Sequence, residues 1–334
     1  MTRDEIIQLG FLIFPGFPMA CLTSMIEPLR AANEIAGKTA FGWKLVSEEG
    51  QRVEASAKVW FEPDLALEAC DGLDYLFLLS GPSSRFDQPV PSDGKLRKLA
   101  RHGAVIGAVS GGIFPLARSG LLDGHKTSVH WCYEAAFAAE FPKIEATEDV
   151  MALGRRRMTA SGAAAAFDLS LHLIEEALGA GVATEVACWF QHPLVRGQGI
   201  TQRKPTFATA STNDMLPDVI RQAVDLFAEN LEDPINIADV AEAVGVSVRQ
   251  LERLFYKATG KTPFHYYKAL RMHKARQLLH YSKDSMGQIA IAVGYSTASA
   301  MSKTYIDVFG ISPQDDRKKV NMFRVRDNTI APPA

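Results

Sequence analysis

The chain has 334 residues, 47% hydrophobic and 22% charged, with a net charge of −2. That is a globular composition, and the length exceeds what one core organises, so two domains are expected. No run approaches the roughly 20 apolar residues of a membrane span, and four cysteines without a CxxC pair (Cys21, Cys70, Cys132, Cys188) suggest reduced thiols in a cytoplasmic protein, not a disulfide framework.

In chain order, MTRDEIIQLGFLIF runs into PGF instead of a small-residue cleavage site and reads as a first strand, not a signal peptide. Short apolar runs at 6–14, 43–47, 74–81 and 104–111 read as strands. The segments MACLTSMIEPLRAANEIAG and DGKLRKLARHG lie between some of them, have helical spacing and close on glycine. Alternating strand and helix imply a mostly parallel sheet covered on both faces, with ligands bound at the carboxyl ends of its strands. Three turns fall at those ends: Pro15-Gly16, Gly81-Pro82 and Ser110-Gly111-Gly112.

The last of these, within IGAVSGGIF at 106–114, has the strand-to-helix form of a nucleophile elbow, but Ala108 stands where that motif has glycine. Arg155-Arg156-Arg157 reads as a solvated hairpin turn. Cys188 and His192, one helical turn apart, read as packing and not as a metal site. No HExxH motif or paired Cys/His cluster is present, and neither a metal nor another cofactor is expected. Residues 198–217, polar and without periodicity, read as a linker.

Beyond the linker the chain reads as helix, and its charge changes. Residues 1–202 carry 18 basic and 24 acidic side chains, residues 203–334 carry 18 and 14. AEAVGVS at 241–247 recurs as AIAVGYS at 290–296, and each copy is followed by a helix and a Gly-x-x-Pro sequence. Each unit meets the needs of a helix-turn-helix: a short amphipathic helix, a glycine (Gly245 or Gly294) for the turn, and Ser247 or Ser296 as the next N-cap. In the first unit Leu251, Leu254, Phe255 and Ala258 form the apolar stripe, leaving Arg249, Gln250, Arg253 and Lys257 outward. In the second, Met301, Tyr305, Val308 and Phe309 face the core and Ser299, Ser302, Lys303 and Ile306 point out. Such faces suit a major groove, with Arg and Gln reading bases and Lys neutralising phosphate.

Residues 218–320, through IADVAEAVGVSVRQLERLFYKATGKTP and IAIAVGYSTASAMSKTYIDVFGISP, resemble the AraC-type regulator domain, two helix-turn-helix units joined by a long helix. They depart from its usual pattern at Tyr295 and Met301, where phenylalanine is usual, and at Lys303, where arginine is usual. Residues 6–195, through FPGF, EPLRAAN, DYLFLLSGP, AVSGGIFPLARSGLLDG and TSVHW, resemble the DJ-1/PfpI, or class I glutamine amidotransferase-like, domain. The whole resembles the GlxA-type regulators.

That resemblance implies an α/β flavodoxin-like doubly wound domain over 1–197, the linker at 198–217, an all-α double helix-turn-helix domain over 218–320 and a tail at 321–334. It also implies promoter DNA, a small amine, amino-acid or betaine effector and RNA polymerase as partners, a homodimer, a cytoplasmic, nucleoid-associated location, and activation. In catalytic relatives of the first domain the elbow holds cysteine, aided by a histidine and an acid on the first helix. Here Ser110 replaces the cysteine, His130 matches the histidine, and the acid falls at Ser24.

The expectation is therefore a non-catalytic pocket formed by Gly16, Glu27, Gly81, Ser110, Gly111, His130 and Trp131. The plainer alternative pairs Glu27 with Arg30 and buries Trp131 in the core. A hydrolase or amidotransferase with a DNA-binding tail is the rival class.

Overall fold

The computed structural model describes residues 6–192, 196–197, 199–203 and 216–323. Most of the expected linker and the tail beyond 323 lie outside the described residues. The chain divides into two compact units, 1–202 and 203–322.

The first unit runs β1 (Ile7–Ile13), α1 (Met19–Ala36), β2 (Phe41–Ser47), β3 (Val53–Glu54), β4 (Trp60–Phe61), β5 (Leu65–Ala66), β6 (Tyr75–Ser80), α2 (Pro89–Arg101), β7 (Val105–Ser110), α3 (Ile113–Arg118) and β8 (Thr127–Ser128). It continues with α4 (Glu134–Glu140), β9 (Ala146–Thr147), β10 (Met151–Leu153), β11 (Arg157–Ala160), α5 (Ala163–Leu178) and α6 (Ala180–Trp189). Seven strands form one sheet in the order β10-β11-β7-β6-β1-β2-β5. All its pairings are parallel except β10 with β11.

With the short edge strands β5 and β10 set aside, the parallel strands follow the flavodoxin-like order 2-1-3-4-5, whose switch point lies between β1 and β6. Burial on both faces explains why β1, β6 and β7 read as nearly continuous apolar runs. Leu9, Phe11 and Ile13 of β1 share a core with Leu22, Met25 and Leu29 of α1 and Leu169, Leu173 and Ile174 of α5. Leu12, Leu78 and Ala108, of opposite parity, are buried on the other side.

The hairpin turn at Arg155–Arg157 is present between β10 and β11, but Arg157 is not simply solvated. Its Nε donates to the Leu121 carbonyl at 2.6 Å, and burial, with Arg156 adding to it, lowers its pKa.

In the second unit α7 (Asp218–Glu229), α8 (Ile237–Ala243), α9 (Val248–Thr259), α10 (Pro263–Tyr281), α11 (Met286–Ala292), α12 (Ala298–Phe309) and α13 (Pro313–Phe323) follow one another. Helices α8 and α9 form one helix-turn-helix, α11 and α12 the other, and α10 links them. Ser247 caps α9, its side chain accepting from Gln250 N. In the second unit the cap is Thr297, not Ser296: the Thr297 hydroxyl accepts from Ala300 N at 3.2 Å, starting the helix one residue later.

Candidate functional sites

The sequence-predicted turns meet at the carboxyl edge of the sheet. The β6–β7 ladder ends at the pair Ser80–Ser110. Ser110 itself has φ +55, a left-handed conformation that strains a side-chain-bearing residue and marks a nucleophile elbow. Both glycines after it are needed for close approach. A Cβ at Gly111 would strike Ser80 O, Gly81 C and Pro82 N, and one at Gly112 would strike Leu78 O. Gly16 O lies 3.8 Å from where a Gly81 Cβ would sit, so the three turns form one floor. The Gly16 N–H donates to Glu54 O at 2.8 Å, so Gly16 contributes surface and a carbonyl rather than a donor.

The first helix meets the elbow through Cys21, not through Ser24, the position expected to face it. The Cys21 thiol lies close enough to the Ser110 hydroxyl for that group to favour the thiolate, but burial outweighs this and pushes the thiol up to about 12. It is un-ionised at neutral pH. Ser24 sits one turn further on, where its carbonyl and that of Met25 receive the Ser170 hydroxyl from α5. Glu27 lies six residues beyond Cys21, about 9 Å along the helix axis. Its carboxylate is held at 3.0 Å by Arg30, which also reaches Glu34 at 2.8 Å.

His130 stands on the same edge: a Cβ at Gly162, just past the end of β11, would lie 3.4 Å from its Cδ2. Burial lowers its pKa, so the ring is neutral at physiological pH. Its Nδ1 accepts the Cys132 N–H at 3.3 Å and lies 2.9 Å from Cys132 Sγ. Accepting at Nδ1 puts the ring proton on Nε2, which makes that atom a donor, not a base. The Trp131 and Tyr133 rings flank it, with centroids at 5.5 and 5.4 Å. Trp131 is half-buried, and its backbone N–H donates to Gln202 Oε1 at 3.0 Å. His192 is bound to Asp168 at 2.9 Å and not to Cys188, which is exposed. Among the described residues no group of three or more His, Cys, Asp or Glu side chains could hold a metal ion.

In the second unit Leu251 and Phe255 of α9 are buried in a core with Ile220, Phe227, Val240 and Tyr266. Arg249, Gln250, Arg253 and Lys257 are exposed on the other face, and Leu254 and Ala258 are half-buried. Ser247 and Gln250 form a capping box, with Ser247 N and Oγ both donating to Gln250 Oε1 at 2.9 and 2.8 Å. The box occupies Oε1, so base reading by Gln250 falls to its Nε2 donors. On α12, Met301, Thr304 and Tyr305 are buried, Val308 and Phe309 half-buried, Ser299, Lys303 and Ile306 exposed, and Ser302 half-exposed.

Sequence reading missed what braces the second unit. Arg271 of α10 donates to Val293 O at 2.7 Å and to Gly294 O at 2.5 Å, and its guanidinium lies 4.3 Å over the Tyr295 ring. The tyrosine found where phenylalanine is usual thus offers the same stacking face. Gly294 has φ +71, and a Cβ there would meet Pro234 Cγ at 2.6 Å and the Glu232 and Leu231 carbonyls at 2.8 Å. The second turn is therefore seated on the loop between α7 and α8, which Tyr267 fixes through Asn230 O and Ile235 N.

Two helix-turn-helix units on a linking helix, each presenting a capped helix with a polar outer face, define a DNA-binding protein joined to an α/β domain. The helix-turn-helix domain family matches residues 240–319, and the DJ-1/PfpI family matches residues 13–176. The chain is 34% identical to the HTH-type transcriptional regulator GbdR of Pseudomonas aeruginosa, over 93% of this chain and 84% of that one. It is also 34% identical to the HTH-type transcriptional regulator ArgR of the same species, over 93% of each. The crystal structure of an AraC family transcriptional regulator from Pseudomonas putida matches 55% of this chain and 99% of its own, at 26% identity and a TM-score of 0.51. The chain belongs to the AraC-type helix-turn-helix transcriptional regulators that carry a DJ-1/PfpI domain, and it is a DNA-binding transcriptional regulator.

Proposed function

We propose that this regulator senses a small zwitterion or amine at the elbow of its first unit and responds at promoter DNA through α9 and α12. Arg249, Gln250 and Arg253 read bases in one major groove, with Ser247 near the backbone and Lys257 on a phosphate. Ser299, Ser302 and Lys303 enter the next groove, about one DNA turn or ~34 Å away.

The pairing at the elbow carries the receptor reading. Ser110 keeps a nucleophile's strained backbone, yet its hydroxyl sits beside an un-ionised thiol. A serine nucleophile needs a base oriented by a third group, and the Nε2–H of His130 is a donor. The Ser110 hydroxyl, the Gly111 N–H and His130 Nε2–H together suit a carboxylate. Gly16 and Gly81 supply the floor, the Trp131 face suits an ammonium group, and Glu27 supplies countercharge if it exchanges its Arg30 partner. The reading is completed by a homodimer formed through the first unit, a cytoplasmic, nucleoid-associated location, and activation by contact with RNA polymerase.

Isothermal titration of the full chain against amino acids and betaines tests the pocket. Heat with at least one ligand, reduced by Ser110→Ala and by His130→Ala, is expected; no heat with any of them overturns the effector class. The enzyme alternative predicts turnover that Ser110→Ala abolishes.

A further inference from the structure

We infer that Gln202, the last residue of the first unit, ties the candidate effector loop to the chain leading into the DNA-binding unit. The inference rests on the assignment of His130 and Trp131 to the effector site.

Residues 200–202 lie alongside 148–150 as an added antiparallel segment. Val150 N donates to Ile200 O at 2.7 Å, Gln202 N donates to Glu148 O at 2.8 Å, and Asp149 pairs with Thr201. The Gln202 side chain, 7% exposed, turns inward from this segment. Its Oε1 accepts the Trp131 N–H at 3.0 Å, and its Nε2 donates to Val129 O at 2.7 Å and to Asp149 O at 3.3 Å. One carboxamide thus holds both sides of the loop that carries His130. A second anchor lies just upstream: Asp168, fully buried in α5, binds His192 at 2.9 Å and Arg196 at 2.7 Å.

These bonds make two movements one. If the 129–131 loop shifts around a ligand, the buried Gln202 amide loses its partners unless residues 200–202 move with it. If residues 200–202 peel away, the Trp131 N–H and Val129 C=O are left unpaired unless the loop moves. Leaving buried polar groups unpaired is costly, so loop and exit strand share one equilibrium. Linkage then runs both ways: what stabilises one arrangement of the loop biases how the chain enters the second unit.

The test is a double-mutant cycle on the full chain, using a duplex selected by the wild-type protein from a randomised pool. Gln202→Ala and Trp131→Pro, the second of which removes the backbone N–H that Gln202 accepts, should each change the Kd for that duplex in the same direction by at least about fivefold, and the double variant should change it no further than the larger single one. Gln202→Glu keeps the acceptor for the Trp131 backbone N–H but sets a carboxylate oxygen against Val129 O and Asp149 O, so it should give a change in the same direction at least as large as that of Gln202→Ala. Hydrogen exchange should rise at 129–131 in Gln202→Ala and at 200–202 in Trp131→Pro.

A Kd within twofold of wild type for both Gln202 variants, with faster exchange at 129–131, would reduce Gln202 to a local staple and overturn the inference. Additive effects of Gln202→Ala and Trp131→Pro would also overturn it. A coupled cycle in a protein that takes up no amino acid or betaine leaves the tie standing and removes the effector class. Ligand heat with unchanged DNA binding does the reverse.

Discussion

Replacing Gly294 or Gly245 with alanine should have unequal consequences, although the two occupy the same place in the repeated motif. Both have positive φ, +71 and +72, so either alanine meets a left-handed backbone penalty of about 1–2 kcal/mol. At Gly245 a Cβ finds nothing within 4 Å, and the penalty ends there. At Gly294 it meets Pro234 Cγ at 2.6 Å and two carbonyl oxygens at 2.8 Å. Overpacking of that kind adds about 1–3 kcal/mol, for a total near 2–5 kcal/mol. The strain can be relieved only by lifting the second helix-turn-helix off the 231–234 loop. Thermal unfolding of the full chain should therefore show a larger fall in the second unit's Tm for Gly294→Ala than for Gly245→Ala. Gly294→Ala should also lose more affinity for a duplex spanning two grooves than for one spanning a single groove. Equal Tm losses in the two variants, with a common affinity ratio on the two duplexes, would refute the reasoning.

Other outcomes follow from the same geometry. Asp316 is buried and accepts from Tyr305 Oη at 2.6 Å, with Arg276 Nε at 2.8 Å. Burial pushes its carboxyl up, but hydrogen bonds from Tyr305 and Arg276 outweigh this and hold its pKa below the ordinary value. A depressed carboxyl contributes stability that is present above the unfolded pKa, about 3.9, and is lost as pH falls through the folded value. Asp316→Asn should cost the second unit about 2–4 kcal/mol at pH 7 by urea unfolding, with the gap closing toward pH 3; a gap that does not narrow would contradict the account. Disulfide-exchange labelling of the native chain at pH 8 should modify exposed Cys188 first, half-buried Cys132 more slowly, and buried Cys21 and Cys70, pushed up to about 12 and about 11, last; fast labelling of Cys21 would mean an activated elbow. In gel shifts, Arg249→Ala or Arg253→Ala should relax base preference, while Lys257→Ala should weaken all sequences alike and reduce the salt slope by about 1; equal losses on every sequence for all three would remove the division of roles.

The strands were legible because parallel strands buried on both faces cannot hide their apolar runs, and β1 at Ile7–Ile13 departs by one residue at each end from the run at 6–14. The repeat was legible because each turn needs its glycine and each outer helix a polar side. What escaped depends on contacts between distant parts of the chain. Helical spacing could not say which turn of α1 meets the elbow, so Ser24 was expected where Cys21 lies. Ser296 and Thr297 are both competent caps, and only the position of the Ala300 N–H chooses between them. Gln202 fell in a polar stretch read as linker, and its partner Trp131 is 71 residues away. Gly294 could be read for its turn but not for the Leu231–Pro234 loop beneath it.

The account centres on two helix-turn-helix units gripping successive grooves, and hydroxyl-radical footprinting of the full chain on its selected duplex tests this most directly. Two protected patches on one face of the DNA, about 10 base pairs apart, are predicted, with Arg253→Ala erasing one and Lys303→Ala weakening the other. A single patch, or two that respond alike to both substitutions, would contradict it.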